Sequence, residues 1–212
     1  MHDNPFLELP PDGAAELAVI LVHGRGRKPD EMMELARALG VPNARYVFPT
    51  ATNSTWYPKG FLAPIGENEP FLSAALARYE AIVAELIRDG FSPDRIVLGG
   101  FSQGACLTAE FLERHPRRYG GAAILTGGLI GPEGTKWPVS RALAGVPVYL
   151  TTSEIDEWVP AWRVRETQAW LKACGAAVET TIFPTREHVV SDEEIRNTRK
   201  LIERVRAAAG AS

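Results

Sequence analysis

The 212-residue sequence predicts an α/β fold in which a mostly parallel central sheet carries helices on both faces. Short apolar runs of strand length alternate along the chain with longer segments whose apolar residues recur at helical spacing. The first run, LAVILVHG at 17–24, is almost continuously apolar, which is typical of a strand buried on both faces. This alternation favours parallel strands joined by helices.

In the first half of the chain, helical segments are closed by glycines. Segment 30–40 carries Met32, Leu35 and Leu39 at helical spacing, and Gly40 suits the helix C-terminus. Segment 71–90 is a long amphipathic helix that also ends in glycine. The predicted order is strand 17–24, helix 30–40, strand 44–49, helix 71–90 and strand 95–100.

In the second half, the last helix has the clearest start signal. Ser191 and Glu194 form a capping-box pattern, and acidic residues near the start with basic residues near the end suit the helix dipole. The predicted order is helix 103–115, strands 122–128 and 147–156, helix 161–175, strand 178–185, and the final helix after Ser191.

Composition limits the function classes. Residues 1–212 are expected to form a single domain, too short for a large lid domain. A net charge of −3 argues against a nucleic-acid partner, and every apolar run is shorter than the roughly 18 residues of a membrane helix, so no stable membrane insertion is expected. The two cysteines show neither metal nor disulfide spacing, and the first residues lack signal-peptide features, so we expect a cytoplasmic protein.

The stretch GGFSQG at 99–104 lies between a predicted strand and a predicted helix. Gly100 to Gly104 fit the pattern G-x-S-x-G in the strand–turn–helix setting that this motif requires. The flanking glycines permit a tight turn that exposes Ser102, which we interpret as a nucleophile. The alternative is a glycine-rich packing or phosphate-binding turn with an incidental serine.

A serine nucleophile needs a base, and the chain has four histidines. His188 is favoured because it lies in a loop between the last strand and the last helix, where it can reach over the serine. The alternative is a solvated histidine beside Glu187. The remaining histidines suit the role less well. His2 is near the start of the chain, His23 ends the first predicted strand, and His115 ends the predicted helix 103–115.

The base needs a carboxylate to hold its tautomer. The stretch after strand 147–156 offers Glu154, Asp156 and Glu157, and Asp156 is favoured by its place before the next helix. An oxyanion formed on the substrate needs N–H donors. We expect them from the main chain of Gln103, at a helix N-terminus, and of Arg25, in the glycine-containing loop HGRGRKPD; the alternative for that loop is phosphate binding.

Together these stretches resemble the phospholipase/carboxylesterase family of α/β-hydrolases, which includes acyl-protein thioesterases. The matching segments are LVHGRG, FPTATNSTWYP, GGFSQGA, DEWVP and REHVVSDEEI, spread over residues 21–195. The resemblance implies an α/β-hydrolase fold, aligns Ser102, Asp156 and His188 with the family's triad, and aligns Arg25 and Gln103 with its oxyanion donors.

The chain departs from the family pattern at three positions. Many members have a hydrophobic residue where this chain has Arg25, and glycine and a small residue where it has Glu187 and Val189. The Arg25 side chain is expected either to bind an anionic substrate group or to pair with a nearby carboxylate, and we favour the pairing.

Aromatic and apolar residues in 52–64, together with one tryptophan beside Asp156, are candidates for the substrate pocket. The alternative is a small apolar cluster under a long loop. The candidates are Trp56, Tyr57, Phe61, Leu62 and Trp158.

The sequence therefore predicts a serine carboxylesterase acting on small-molecule esters of small to medium acyl groups, with thioesters and lysophospholipids as further candidates. No metal or organic cofactor is expected, and the oligomeric state is not predicted. The rival readings are a peptidase or lactone hydrolase with the same triad, and a catalytically inactive binding module on a hydrolase scaffold.

Overall fold

A computed structural model describes residues 6–11 and 13–209 and contains a seven-stranded sheet with the order β1-β3-β2-β4-β5-β6-β7. Strand β1 is antiparallel to β3, and the other neighbours are parallel. The strands are β1 Phe6–Leu9, β2 Leu17–Val22, β3 Ala44–Pro49, β4 Ile96–Phe101, β5 Gly121–Leu125, β6 Pro147–Ser153 and β7 Ala177–Phe183. The helices are α1 Pro29–Leu39, α2 Phe71–Arg88, α3 Gln103–Arg114, α4 Ala161–Ala173 and α5 Asp192–Ala209.

Helices cover both faces of the sheet, as predicted. Side chains of β2 alternate between the two cores, with Leu17, Val19 and Leu21 on one face and Ala18, Ile20 and Val22 on the other. The first core is completed by α1 and α5, and the second by α2, α3 and α4. Full burial on both faces explains why β2 reads as an uninterrupted apolar run.

Each predicted strand and helix is present, but the structure adds β1 and ends four strands early. The predictions 17–24, 122–128, 147–156 and 178–185 end at Val22, Leu125, Ser153 and Phe183. Strand β5 stops because Thr126 has a left-handed φ of 55°. The residues released from these strands are therefore loop residues at the carboxyl edge of the sheet, where functional groups gather in this architecture.

Among the described helices, none combines the length and apolar character required to cross a bilayer.

Candidate active site

Ser102 stands on a strained turn between β4 and α3. Its φ of 55° and ψ of −119° lie outside the ordinary regions for a side-chain-bearing residue. The turn is closed by main-chain contact: a Cβ on Gly100 would lie 2.6 Å from the Gly104 carbonyl carbon, and one on Gly104 would lie 2.1 Å from the Val22 carbonyl oxygen. The Ser102 N–H donates to the Leu125 carbonyl at 3.0 Å. The two motif glycines thus allow the close packing that lifts the serine above the sheet.

The structure brings Ser102, His188 and Asp156 into one hydrogen-bonded chain. The Ser102 Oγ lies 2.8 Å from His188 Nε2, and His188 Nδ1 lies 2.8 Å from Asp156 Oδ2. With the imidazole neutral, the serine hydroxyl donates to Nε2 and Nδ1–H donates to the carboxylate. The Phe101 ring lies 5.0 Å from the His188 ring, centroid to centroid, and supports it from the β4 side.

Asp156 is the carboxylate selected from the three candidates. Its Oδ1 accepts hydrogen bonds from the main-chain N–H groups of Trp158 and Val159 at 3.0 and 2.8 Å. Burial tends to raise the pKa of the Asp156 carboxyl, but the hydrogen bonds from His188, Val159 and Trp158 outweigh it and hold the pKa below its usual value. Asp156 therefore stays ionised while facing the imidazole. Glu154 instead pairs with Arg165, at the surface.

The other described histidines serve elsewhere. His23 is buried, and its Nε2 accepts a hydrogen bond from the Ala51 N–H at 3.1 Å. Burial lowers the pKa of His23, so it is held neutral. His115 lies at the end of α3, 3.6 Å from Glu80. His2 is outside the described residues.

The main-chain N–H groups of Arg25 and Gln103 lie on the two segments that meet at Ser102. Gln103 is the first residue of α3, so its N–H has no partner inside the helix. Arg25 follows Gly24, where an added Cβ would lie 3.3 Å from the Ser102 Cβ. Within the described part of the chain, neither N–H has a hydrogen-bond acceptor. Two free donors beside the serine can receive an anionic oxygen.

The side chains of the same two residues hold the segment 55–61, which we call the aromatic loop. Arg25 donates to the carbonyls of Tyr57 and Pro58, both at 2.9 Å, and to that of Lys59 at 2.5 Å. The predicted carboxylate partner was wrong: the guanidinium pairs with main-chain carbonyls instead, because the loop bends around it and presents three of them. These three contacts favour a structural role for the Arg25 side chain over binding of an anionic substrate group.

Gln103 also has a side-chain role that the sequence did not predict. Its Oε1 accepts from the Trp56 N–H at 3.0 Å, and its Nε2 donates to the Tyr57 carbonyl at 2.9 Å. A helix-start glutamine next to a nucleophile carries no local signal of a partner 46 or 47 residues away. The residues expected to bind the oxyanion thus anchor the neighbouring loop as well.

A cavity of about 300 Å³ opens beside Ser102. Three of the predicted pocket residues line it, and two do not: Trp56 is 5 % exposed and its indole N–H donates to the His23 carbonyl at 2.8 Å, while Leu62 packs against the core. Trp158 is 70 % exposed at the rim. The lining residues are Gly24, Arg25, Arg27, Tyr57, Gly60, Phe61, Phe101, Ser102, Gln103, Cys106, Trp158, Val159 and His188.

Cys106 contributes to the cavity wall, a role that the sequence did not predict. It is buried, and burial raises the pKa of its thiol to about 12, so the thiol remains uncharged. The available signal was its spacing: it lies four residues after Ser102, one helical turn further along α3. The result is an apolar wall behind the nucleophile.

A family model for phospholipase/carboxylesterase matches residues 4–206 of the chain. The chain belongs to the phospholipase/carboxylesterase family. It is a carboxylic ester hydrolase with an α/β-hydrolase fold, as the sequence predicted. The crystal structure of a phospholipase/carboxylesterase from Dyadobacter fermentans is 36 % identical, superposes with a TM-score of 0.88, and is matched over 95 % of this chain and 97 % of that one.

Curated relatives are more distant in sequence. Acyl-protein thioesterase 1 of Eremothecium gossypii is 28 % identical over 166 residues, which are 69 % of each chain. A probable carboxylesterase of Arabidopsis thaliana, SOBER1-like, is 22 % identical over 202 residues, or 87 % of this chain and 77 % of that protein.

Proposed function

We propose that the chain hydrolyses carboxylic esters, and thioesters of the same acyl groups, through a covalent acyl-enzyme on Ser102. The observation that carries the proposal is the pair of 2.8 Å contacts that link Ser102 Oγ to His188 and His188 to Asp156. This is the arrangement in which a base activates a serine and a carboxylate orients the base.

In the first half-reaction, Ser102 Oγ attacks the ester carbonyl carbon while His188 Nε2 takes the hydroxyl proton. The carbonyl π electrons move to oxygen, and the N–H groups of Arg25 and Gln103 receive this oxyanion. When the intermediate collapses, the bond to the leaving group breaks and His188 returns the proton to the departing alcohol or thiol. Asp156 stabilises the imidazolium that exists between these two transfers.

In the second half-reaction, water attacks the acyl-enzyme and gives its proton to His188. The second tetrahedral intermediate collapses to the free acid, and Ser102 recovers its proton. Each half-reaction therefore uses the same base and the same pair of oxyanion donors. All bonds are made and broken by proton transfer and acyl transfer alone.

The cavity supports acyl groups of small to medium size. Its volume of about 300 Å³ lies at the small end of the range for ligand pockets, roughly 300–1,000 Å³. Tyr57, Phe61, Phe101 and Cys106 give it apolar walls. An alkyl chain of a few carbons fits such a space, while a long lipid chain would extend past Trp158 into solvent.

The proposal is tested by replacing Ser102 with alanine. Purified protein is assayed with p-nitrophenyl butyrate and labelled with a fluorophosphonate probe. The wild type should turn over the ester and take up one equivalent of probe, and Ser102→Ala should lose about 10⁴-fold or more in kcat and all labelling. Ser73→Ala, an exposed serine of α2, is the matched control and should behave as wild type.

A wild-type protein that neither labels nor turns over esters would support the inactive binding module instead. Phenyl butyrate and S-phenyl thiobutyrate, compared at equal concentration, test ester against thioester cleavage because they share one acyl group. Amide and lactone substrates assayed beside them test the peptidase and lactone alternatives.

A further inference from the structure

Arg186 lies two residues before His188 and has no role in the chemistry just described. It belongs to the loop between β7 and α5, yet its side chain is only 8 % exposed. A buried arginine needs partners for its charge and for its N–H groups. The identity of those partners indicates what the residue does.

The guanidinium holds the main chain on both sides of His188. Its Nη1 donates to the Glu187 carbonyl at 2.8 Å and also to the Val189 carbonyl. These carbonyls belong to the residues directly before and directly after His188. Here one side chain closes the loop around the histidine by binding both flanking carbonyls.

The other end of the guanidinium ties this loop to the sheet. Nη2 donates to the Thr126 hydroxyl at 2.6 Å, directly after β5, and Nε lies 3.5 Å from Oε2 of Glu194 in α5. The carboxylate of Glu194 is fully buried. It accepts from the Ser191 N–H and hydroxyl, both at 2.8 Å, and from the Thr151 hydroxyl of β6.

The network closes on itself beneath the histidine. The Thr151 hydroxyl oxygen also accepts a hydrogen bond from the Thr126 N–H at 3.0 Å, so the ends of β5, β6 and α5 are joined to the loop. Burying an arginine and a glutamate removes the hydration of both ions, and apolar residues would fill the same space without that cost. What the buried pair supplies here is a set of hydrogen bonds that join the loop to β5, β6 and α5.

We infer that Arg186 is a positioning residue for His188, holding the imidazole at hydrogen-bonding distance from Ser102 through the loop carbonyls. The inference rests on the proposed function, because it concerns the base of that reaction. Displacement of the imidazole by about 1 Å is enough to cost on the order of 10²-fold in rate. Removing the clamp should therefore lower kcat while leaving the cavity, and with it KM, nearly unchanged.

The test compares Arg186→Met with the wild type, using p-nitrophenyl butyrate and the fluorophosphonate probe. Methionine fills much of the same volume without donors. We expect kcat and the rate of probe labelling to fall by about 10- to 100-fold, with KM within about threefold and the full equivalent of probe still taken up in time. Arg165→Met is the matched control, since it removes an exposed ion pair near the site, and its kcat should stay within twofold of wild type.

A second comparison separates positioning from general loosening of the fold. In a His188→Ala background, the residual activity no longer depends on the imidazole, so adding Arg186→Met should change it less than twofold. An equal fold-loss in both backgrounds would overturn the inference, as would a kcat for Arg186→Met within twofold of wild type.

If Arg186→Met does not fold, Arg186→Lys carries the test. Lysine keeps a charge opposite Glu194, but its one nitrogen cannot stand in the places of both Nη1, which binds the two loop carbonyls, and Nη2, which binds Thr126. We expect a folded protein by circular dichroism with kcat about tenfold lower, and wild-type kcat would overturn the inference. Inactive wild-type protein would instead defeat the proposed function, and the two failures are thereby distinguished.

Discussion

The two sides of the active site are built from loops of opposite character. The aromatic loop, residues 55–61, buries its three aromatic side chains and is anchored by the side chains of Arg25 and Gln103. The segment 154–159, which we call the acid loop, is mostly exposed and is shaped by two main-chain N–H groups that bind the Asp156 carboxylate. Each loop has one tryptophan, Trp56 or Trp158.

The comparison shows that an aromatic residue in a loop does not by itself indicate whether its side chain is buried in the core or exposed at a pocket. Trp56 donates its indole N–H to the His23 carbonyl and has its ring 4.9 Å from the His23 ring, so it packs against the end of β2. Trp158 leaves its ring in solvent at the cavity rim. The aromatic loop therefore contributes buried packing and part of the cavity wall, whereas the acid loop contributes the Asp156 carboxylate and an exposed ring at the rim.

The largest effect expected from the acid loop is the loss of its charge. Asp156→Asn should reduce kcat by about 10⁴-fold, because an amide that donates to His188 Nδ1 selects the tautomer that cannot accept the serine proton. Ester hydrolysis and probe labelling measure this loss. Glu154→Gln and Glu157→Gln are the controls, and a comparable loss in either would mean that the acid loop acts through a different carboxylate.

Stability should separate the two tryptophans. Trp56→Ala is expected to lower the free energy of unfolding by about 3–5 kcal/mol, since it empties a buried site and leaves the His23 carbonyl without its donor. Trp158→Ala should change it by less than about 0.5 kcal/mol. Urea denaturation followed by circular dichroism gives both values, and similar values for the two variants would remove the distinction between the loops.

The smallest effect concerns the cavity rim. Trp158→Ala should lower kcat/KM by about fivefold for esters whose chains reach it, equivalent to ~40 Å² of lost apolar contact at ~25 cal/mol/Å². The loss should be absent for acetate esters and grow with acyl length. Ile155→Ala, an exposed neighbour outside the cavity, is the control. A loss independent of acyl length would assign Trp158 to the acid loop's own structure.

Sequence reasoning succeeded where one local pattern determines the outcome. The spacing of apolar residues predicts buried parallel strands and amphipathic helices, as it does for β2 and α1. The turn around Ser102 could be predicted from its motif because only glycine allows main-chain segments to pack so closely. It missed β1, because Phe6–Leu9 is a short, partly exposed edge strand whose four residues offer too little pattern.

Features that depend on tertiary partners could not be predicted. The burial of Trp56 depends on His23, 33 residues earlier, and the partners of Arg186 include Thr126, 60 residues away. The guanidinium of Arg25 suggested a carboxylate partner by charge alone, but its carbonyl partners follow from the path of a loop. In each case the residue type is compatible with several environments, and packing selects one.

The contact between Gly104 and the end of β2 has a consequence for how the site would respond during the proposed reaction. Because any side chain at Gly104 would overlap the Val22 and His23 carbonyls, the start of α3 rests directly on the strand that leads to Arg25. The distance between the N–H groups of Arg25 and Gln103 is then set by direct contact of two main-chain segments, and no side chain lies between these segments to change its rotamer. In the proposed mechanism, little reorganisation energy is then needed when charge appears on the substrate oxygen, and a single methyl group at position 104 would suffice to remove that advantage.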